Sequence, residues 1–236
     1  MPLLTIWSPK GGSGTSAVAA ACALVLARRA GARLVDLAGD QPALLGLGAE
    51  PSAGVADWLA AGPTAPTEAL DRLAVEVAPG LALLALGTVP STLAPVAAAE
   101  AGAALGVALR DNPVPAIVDA GLAQVPAARA LLEVSDASLV VLRECYLALR
   151  RATRLPLIGR AAGIVLVTEP GRSLGAKEVT DVLGRPVVAR LPLREGVART
   201  IDAGSMPHRI PEPLARAAHD ALGAVGLRPA RRGAAA

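Results

Sequence analysis

The stretch LLTIWSPKGGSGTS, residues 3–16, limits what this chain can become more than any other segment. Residues 3–7 are an apolar run of strand length. A glycine-rich turn follows, and then alanine-rich sequence of helical character over 15–30. A strand that passes through glycines directly into a helix is the opening unit of a parallel α/β sheet. Glycines let the backbone curl so that several N–H groups point inward, and the start of the helix adds its dipole, a combination that suits phosphate. Gly11, Gly12, Ser13, Gly14 and Thr15 would form that cradle. Ser16, on the first helical turn, would offer its hydroxyl to a Mg²⁺ carried by the phosphate. The same residues also suit a plain β-to-α turn with a serine cap.

The rest of the chain repeats the alternation. Strands are predicted at 32–36, 115–119, 137–142, 163–167 and 186–191, with two short ones around Pro79-Gly80 in 73–87. Helices are predicted at 54–62, 91–110, 126–133, 146–155, 174–183, 196–203 and 212–224. The pattern predicts a three-layer αβα fold around a doubly wound, mostly parallel sheet. In such sheets the ligand site lies beyond the C-terminal strand ends, at a switch in strand order. No repeat or long linker divides the chain, so residues 1–227 are expected to form one domain and the basic tail 228–236 to be disordered. With no Phe, one Tyr and two Trp, the core must come from Val, Leu, Ile and Ala.

A formal net charge of +3 is too mild to argue for nucleic acid by itself. Cys22 and Cys145 stand in apolar stretches without metal-type spacing, which reads as buried free thiols in a reducing compartment. His208 and His219 have no partners at ligand or triad spacing. No apolar run reaches spanning length and no leader-like segment precedes the first strand, so a cytoplasmic protein is expected.

A dinucleotide reading competes. Gly12-Ser13-Gly14-Thr15-Ser16-Ala17 fits G-x-G-x-x-A, and Asp36 closes the next strand where an NAD(P) fold places its ribose-binding acid. Against it, the residues from Ser8 to Lys10 intervene between strand and glycines, and no second domain offers an oxidisable substrate.

Lys10-Gly-Gly-x-Gly-x-Ser resembles the deviant Walker A motif of the MinD/ParA family of P-loop ATPases, K-G-G-x-G-K-[ST]. The resemblance recurs in order along nearly the whole chain. LVDLAGDQPALLGL (34–47) resembles the switch I region, in a form closest to CpaE-like, septum-site-determining members. PAIVDAG (115–121) resembles Walker B, and GIVLVT (163–168) with ARLPLREGVARTIDAG (189–204) resembles the adenine-holding end. The resemblance implies a P-loop fold, ATP and Mg²⁺ as ligands, and a nucleotide-linked homodimer that hands its state to a partner protein. Lys10 would reach the partner subunit's nucleotide. Gly11, Gly12, Ser13, Gly14, Thr15 and Ser16 would hold phosphate, and Ser16, Asp36 and Asp119 the metal. Gly121 would be the glycine following the Walker B acid. Thr168 stands where an adenine-contacting Asn is common, and Pro192 heads the loop over the base.

Two departures follow from the comparison of motifs. Thr15 replaces the second lysine, a charge-assisted phosphate contact worth about 1.5–3 kcal/mol, or roughly 10- to 150-fold in affinity. That loss weakens ATP binding and falls harder on hydrolysis, where charge develops in the transition state. Ala38 replaces the second acid of D-x-D. Asp40 either takes over its water-positioning role or caps the turn before Pro42. Arg143, directly after strand 137–142, either approaches the phosphates or is spent in an ion pair such as one with the adjacent Glu144.

The expected function is a spatial regulator in pilus assembly, septum placement or DNA partition, with weak or absent hydrolysis. The alternative is a non-hydrolysing scaffold on the same fold. Arg150, Arg151 and Arg154, with Arg228, Arg231 and Arg232 in the tail, form either a non-specific DNA patch or a solvated surface. Leu214, Ala218, Leu222 and Val225 on the last helix either touch a membrane or pack on the domain.

Overall fold

The computed structural model describes residues 2–88 and 93–227. In chain order the elements are β1 (Leu3–Ser8), α1 (Thr15–Ala30), β2 (Ala32–Asp36), α2 (Gln41–Leu44), α3 (Val55–Ala60), α4 (Glu68–Leu73), β3 (Val75–Ala78) and β4 (Leu81–Leu84). Then follow α5 (Pro95–Asp111), β5 (Ala116–Leu122), α6 (Pro126–Val134), β6 (Ala137–Arg143), α7 (Tyr146–Ala152) and a 3-10 turn (Pro156–Arg160). The chain continues through β7 (Gly163–Thr168), α8 (Ala176–Leu183), β8 (Val187–Pro192), α9 (Glu195–Asp202) and α10 (Glu212–Ala224).

The eight strands form one sheet in the order β3-β4-β2-β5-β1-β6-β7-β8. All pairings are parallel except β3 with β4, the hairpin turned at Pro79-Gly80. β1 lies between β5 and β6, so the chain winds outward from it in both directions. The strand-order switch therefore falls at the end of β1, where the glycine loop begins.

Strand residues alternate between two buried faces, which is why these strands read as continuous apolar runs. Leu4, Ile6, Ile117, Leu139, Val141, Val165 and Val167 face α1 and α10. Leu3, Trp7, Val118, Val140, Leu142, Ile164 and Leu166 face the layer of α3, α5, α6, α7 and α8. Helix α1 is buried nearly all round, and its alanines keep it close to both the sheet and α10. Gly102 on α5 serves a similar purpose: a Cβ there would lie 2.2 Å from the Ala127 carbonyl oxygen on α6.

Several expectations are corrected. The helix placed at 91–110 starts at Pro95, because proline disfavours helical geometry at Ala94, which is extended at ψ 149°. Residues 91 and 92 lie outside the described residues, as do Arg228, Arg231, Arg232 and the rest of the 228–236 tail. The helix placed at 146–155 ends at Ala152, and Pro156 opens the separate 3-10 turn. Helices α2 and α4 have no counterpart in the expected pattern. Leu214, Ala218 and Leu222 are buried in the core and Val225 packs against it, so that face of α10 is spent inside the protein. No described helix is long and apolar enough to cross a membrane.

Candidate functional site

The loop from Ser8 to Thr15 is held by its own hydroxyls. Ser8 and Ser13 each donate to the Lys10 carbonyl, Ser13 at 2.7 Å, and the Lys10 N–H donates back to Ser8 Oγ at 3.0 Å. Gly12 and Gly14 take φ values of 74° and 87°, a region that side-chain-bearing residues rarely adopt. Gly14 stands at the N-cap of α1, whose first turn contains no acidic residue. The result is a backbone concavity at a positive helix end, the arrangement that binds anions. A Cβ built on Gly11 or Gly12 would meet nothing within 4 Å, so the cradle is open. Thr15 is 7% exposed at the first helical position and brings no charge. Lys10 is half-buried at the rim, and its exposed Nζ donates to the Gly11 carbonyl oxygen at 3.3 Å.

Three acids gather beside the loop. Asp36 and Asp119 are direct register partners on β2 and β5. Asp36 is fully buried, and its carboxylate accepts from the N–H groups of Ala38 (2.9 Å), Gly39 (2.7 Å) and Gln41 (3.0 Å). Burial raises its pKa to about 6, helped by the charge of Asp119 and opposed by those three N–H donors. Asp119, also fully buried, accepts from Gly121 N–H at 3.1 Å and from the Gln41 side-chain amide at 2.8 Å. Burial pushes its pKa up as well, against the hydrogen bonds of Ser16 and Gln41. Asp40 is exposed and accepts from the Ser16 hydroxyl at 3.2 Å. Ser16 thus sits between Asp40 and Asp119.

These residues differ in what they leave free. Both oxygens of Asp36 are occupied by its own loop and both of Asp119 by Gly121 and Gln41, so of the three acids only Asp40 lines the cleft. The dinucleotide reading needs Asp36 free for a ribose, and it is not. The Asp40 side chain is neither buried nor bonded to the turn it precedes; it faces Ser16 across the cleft wall. Ala38 packs against Gly121, where an added Cβ would come within 3.1 Å of the Ala38 Cβ. No water-positioning acid stands at position 38.

Arg143 comes from the end of β6. Its Nε engages Glu169, at the end of the neighbouring β7, and its Nη1 lies 3.5 Å from the Gly12 carbonyl oxygen. The ion-pair reading of this arginine holds, with Glu169 in place of the expected Glu144, and the same guanidinium reaches the backbone of the glycine loop. Glu144 instead accepts from the Glu169 N–H at 3.0 Å. Hydrogen bonds from Arg143 and then Arg172 hold the Glu169 carboxyl below the ordinary range.

The loop, Leu37, Ala38, Asp40, Ala43, Leu44, the Ala120–Leu122 end of β5, Val125 and the end of α9 enclose a cleft of about 780 Å³. Thr168 and Pro192 do not line it; they face each other in register at the ends of β7 and β8, on the same sheet edge. Cys22 is fully buried, its thiol pushed up to about 12 by burial. Cys145 caps α7 by accepting from the Ala148 N–H at 3.4 Å. Arg150, Arg151 and Arg154 are exposed on and just after α7. The residue that motif reading missed is Gln41, fully buried between Asp119 and the Ser16 carbonyl.

No protein-family model matches the sequence, and no curated protein matches it in sequence. Solved structures do match. A ParA family ATPase from Chlorobium tepidum TLS is 21% identical, with a TM-score of 0.75 over 92% of this chain and 95% of that one. The septum site-determining protein MinD from Pyrococcus horikoshii OT3, complexed with Mg-ADP, is 18% identical, with a TM-score of 0.71 over 92% of each chain. A variant of McdA from Cyanothece, in complex with ATP, is 16% identical, with a TM-score of 0.74 over 98% of this chain and 99% of that one. The chain has the fold of the MinD/ParA P-loop ATPases over nearly its whole length.

Proposed function

We propose that this chain is a degenerate member of the MinD/ParA family: a cytoplasmic protein of one nucleotide-binding domain that binds ATP and dimerises around it. The observation that carries the reading is convergence. The open glycine cradle, the Ser16 hydroxyl and the Asp40 carboxylate line one cleft at the strand-order switch, with Asp119 buried beside Ser16. Lys10, at the rim, is available to a second subunit's nucleotide.

The donor set suits Mg²⁺. Ser16, Asp40 and Asp119 offer only oxygen, and magnesium keeps several waters while taking one or two protein oxygens plus substrate phosphate. When bound, Mg²⁺ would neutralise phosphate charge. The chain itself supplies backbone N–H groups to the phosphates and holds Ser16 and Asp119 in place.

Hydrolysis is weak or absent in this reading. Thr15 brings no charge to the phosphates, and position 38 offers no acid to orient water. The second reading, a non-hydrolysing scaffold on the same fold, is favoured by those two observations. The process served is pilus assembly, septum placement or DNA partition through a partner protein. Peripheral attachment to the nucleoid would fall to Arg150, Arg151 and Arg154, with the basic sequence of residues 228–236. Sedimentation with and without ATP and Mg²⁺, beside a turnover assay, tests this. An ATP-dependent shift from monomer to dimer with little phosphate release supports the switch; a mass independent of ATP supports the scaffold.

A further inference from the structure

Gln41 ties together three segments that a nucleotide site must keep in register. Its backbone N–H donates to Asp36 at the end of β2. Its side-chain amide donates to Asp119 Oδ2 at 2.8 Å, on β5, and to the Ser16 carbonyl at 3.0 Å, in the first turn of α1. Both side-chain partners are acceptors only, so the NH₂ group must face them and the orientation of the amide is fixed by chemistry. The residue is fully buried, and its Oε1 is left without a partner. A buried amide that satisfies Asp119 Oδ2 and the Ser16 carbonyl while leaving its own acceptor orphaned is placed for its two donors rather than for packing alone.

The choice makes sense for an uncharged linker among acids. Asp36, Asp40 and Asp119 surround this point, and a lysine or arginine here would neutralise the carboxylate that a metal needs. An amide holds Asp119 with a dipole and leaves its charge in place. With Gly121 N–H on Oδ1 and Gln41 on Oδ2, the Asp119 carboxylate has one orientation. The second amide hydrogen fixes the helix turn that carries Ser16 relative to it.

We propose that Gln41 is a positioning residue for metal-dependent nucleotide binding, locking Asp119 to the Ser16 turn before ligand arrives. The proposal rests on the nucleotide reading above. It assigns Gln41 no contact with phosphate, since the residue does not line the cleft.

The test compares the full-length wild type with Gln41→Leu and, should that variant fold poorly, Gln41→Met. Fluorescent ATP is titrated in EDTA and again across a Mg²⁺ series, and amide hydrogen exchange is measured without nucleotide. The expected result is metal-free affinity within about 2-fold of wild type, while the Mg²⁺ needed for half-maximal tightening rises 10-fold or more. Exchange at Gly121 is expected to quicken at least 10-fold, with Val165 in the central sheet unchanged. Equal weakening with and without Mg²⁺ would mean a merely structural role and overturn the proposal. So would unchanged Mg²⁺ dependence. Failure of wild type to bind nucleotide is a separate outcome that removes the nucleotide reading and the metal role with it; exchange at Gly121 then reports only whether Gln41 holds Asp119.

Discussion

The guanidinium of Arg143 lies 3.5 Å from the carbonyl oxygen of Gly12, joining the end of β6 to the glycine loop 131 residues earlier in the chain. It brings a cation next to a glycine loop in which Thr15, at the first position of α1, carries no charge. Glu169 engages the same guanidinium, so part of that charge is already compensated. Arg143→Ala is expected to weaken ATP binding roughly 3- to 10-fold, about 0.7–1.4 kcal/mol. The side chain is partly exposed, so the effect should shrink as salt rises. Titrations at two ionic strengths check this. Unchanged affinity at low salt would mean that Arg143 serves only Glu169.

Thr15→Lys restores a charge at a helix start, and two effects compete. A cation at a helix N-terminus opposes the dipole and costs about 0.3–1 kcal/mol without ligand. A charge-assisted phosphate contact contributes about 1.5–3 kcal/mol with ligand. Thermal unfolding should therefore show a slightly less stable free protein and a larger shift on adding ATP. Affinity should rise roughly 10- to 150-fold.

Asp36 makes stability depend on pH in a direction opposite to most carboxylates. Its folded pKa is raised from 3.8 to about 6, so the folded state holds a proton that the unfolded chain releases. Its contribution is fully present below about pH 4, is lost as pH rises through about 6, and stays lost above. A rise of that size is worth at most about 3 kcal/mol. Asp36→Asn cannot titrate, so its unfolding free energy between pH 4 and 7 should be flatter than wild type in metal-free buffer. Parallel profiles for the two proteins would contradict the assignment.

Gly102→Ala tests the packing of α5 on α6. Alanine gains about 1 kcal/mol of helix propensity. Its Cβ would however sit 2.2 Å from a backbone oxygen, and overpacking of that kind costs about 1–3 kcal/mol. The clash should win, with a fall in Tm of a few degrees. Gly159→Ala, where a Cβ meets nothing within 4 Å, is the control.

What could be read from the chain beforehand follows from the physics of each feature. Strands buried on both faces leave unbroken apolar runs, so every strand of the sheet was legible to within a few residues. The helices α2 and α4, of four and six residues, are too short to show a period. Motif resemblance put Ser16 and Asp119 at one site, and the fold makes them neighbours. The sequence could not show that Asp36 would turn its carboxylate into its own loop, since three backbone donors arise only from the fold of residues 38–41. It paired Arg143 with its sequence neighbour Glu144, whereas parallel strand ends bring Glu169 alongside. Gln41 carries no motif, and its importance lies wholly in contacts 25 and 78 residues away.

In the proposed function the cleft holds ATP with magnesium. Equilibrium titration of fluorescent ATP into the wild-type protein, with unlabelled ATP and NAD as competitors, tests it most directly. The predicted result is saturable binding, tightened by Mg²⁺, displaced by ATP and indifferent to NAD. Absence of binding at millimolar ATP, or displacement by NAD with no effect of Mg²⁺, would contradict it.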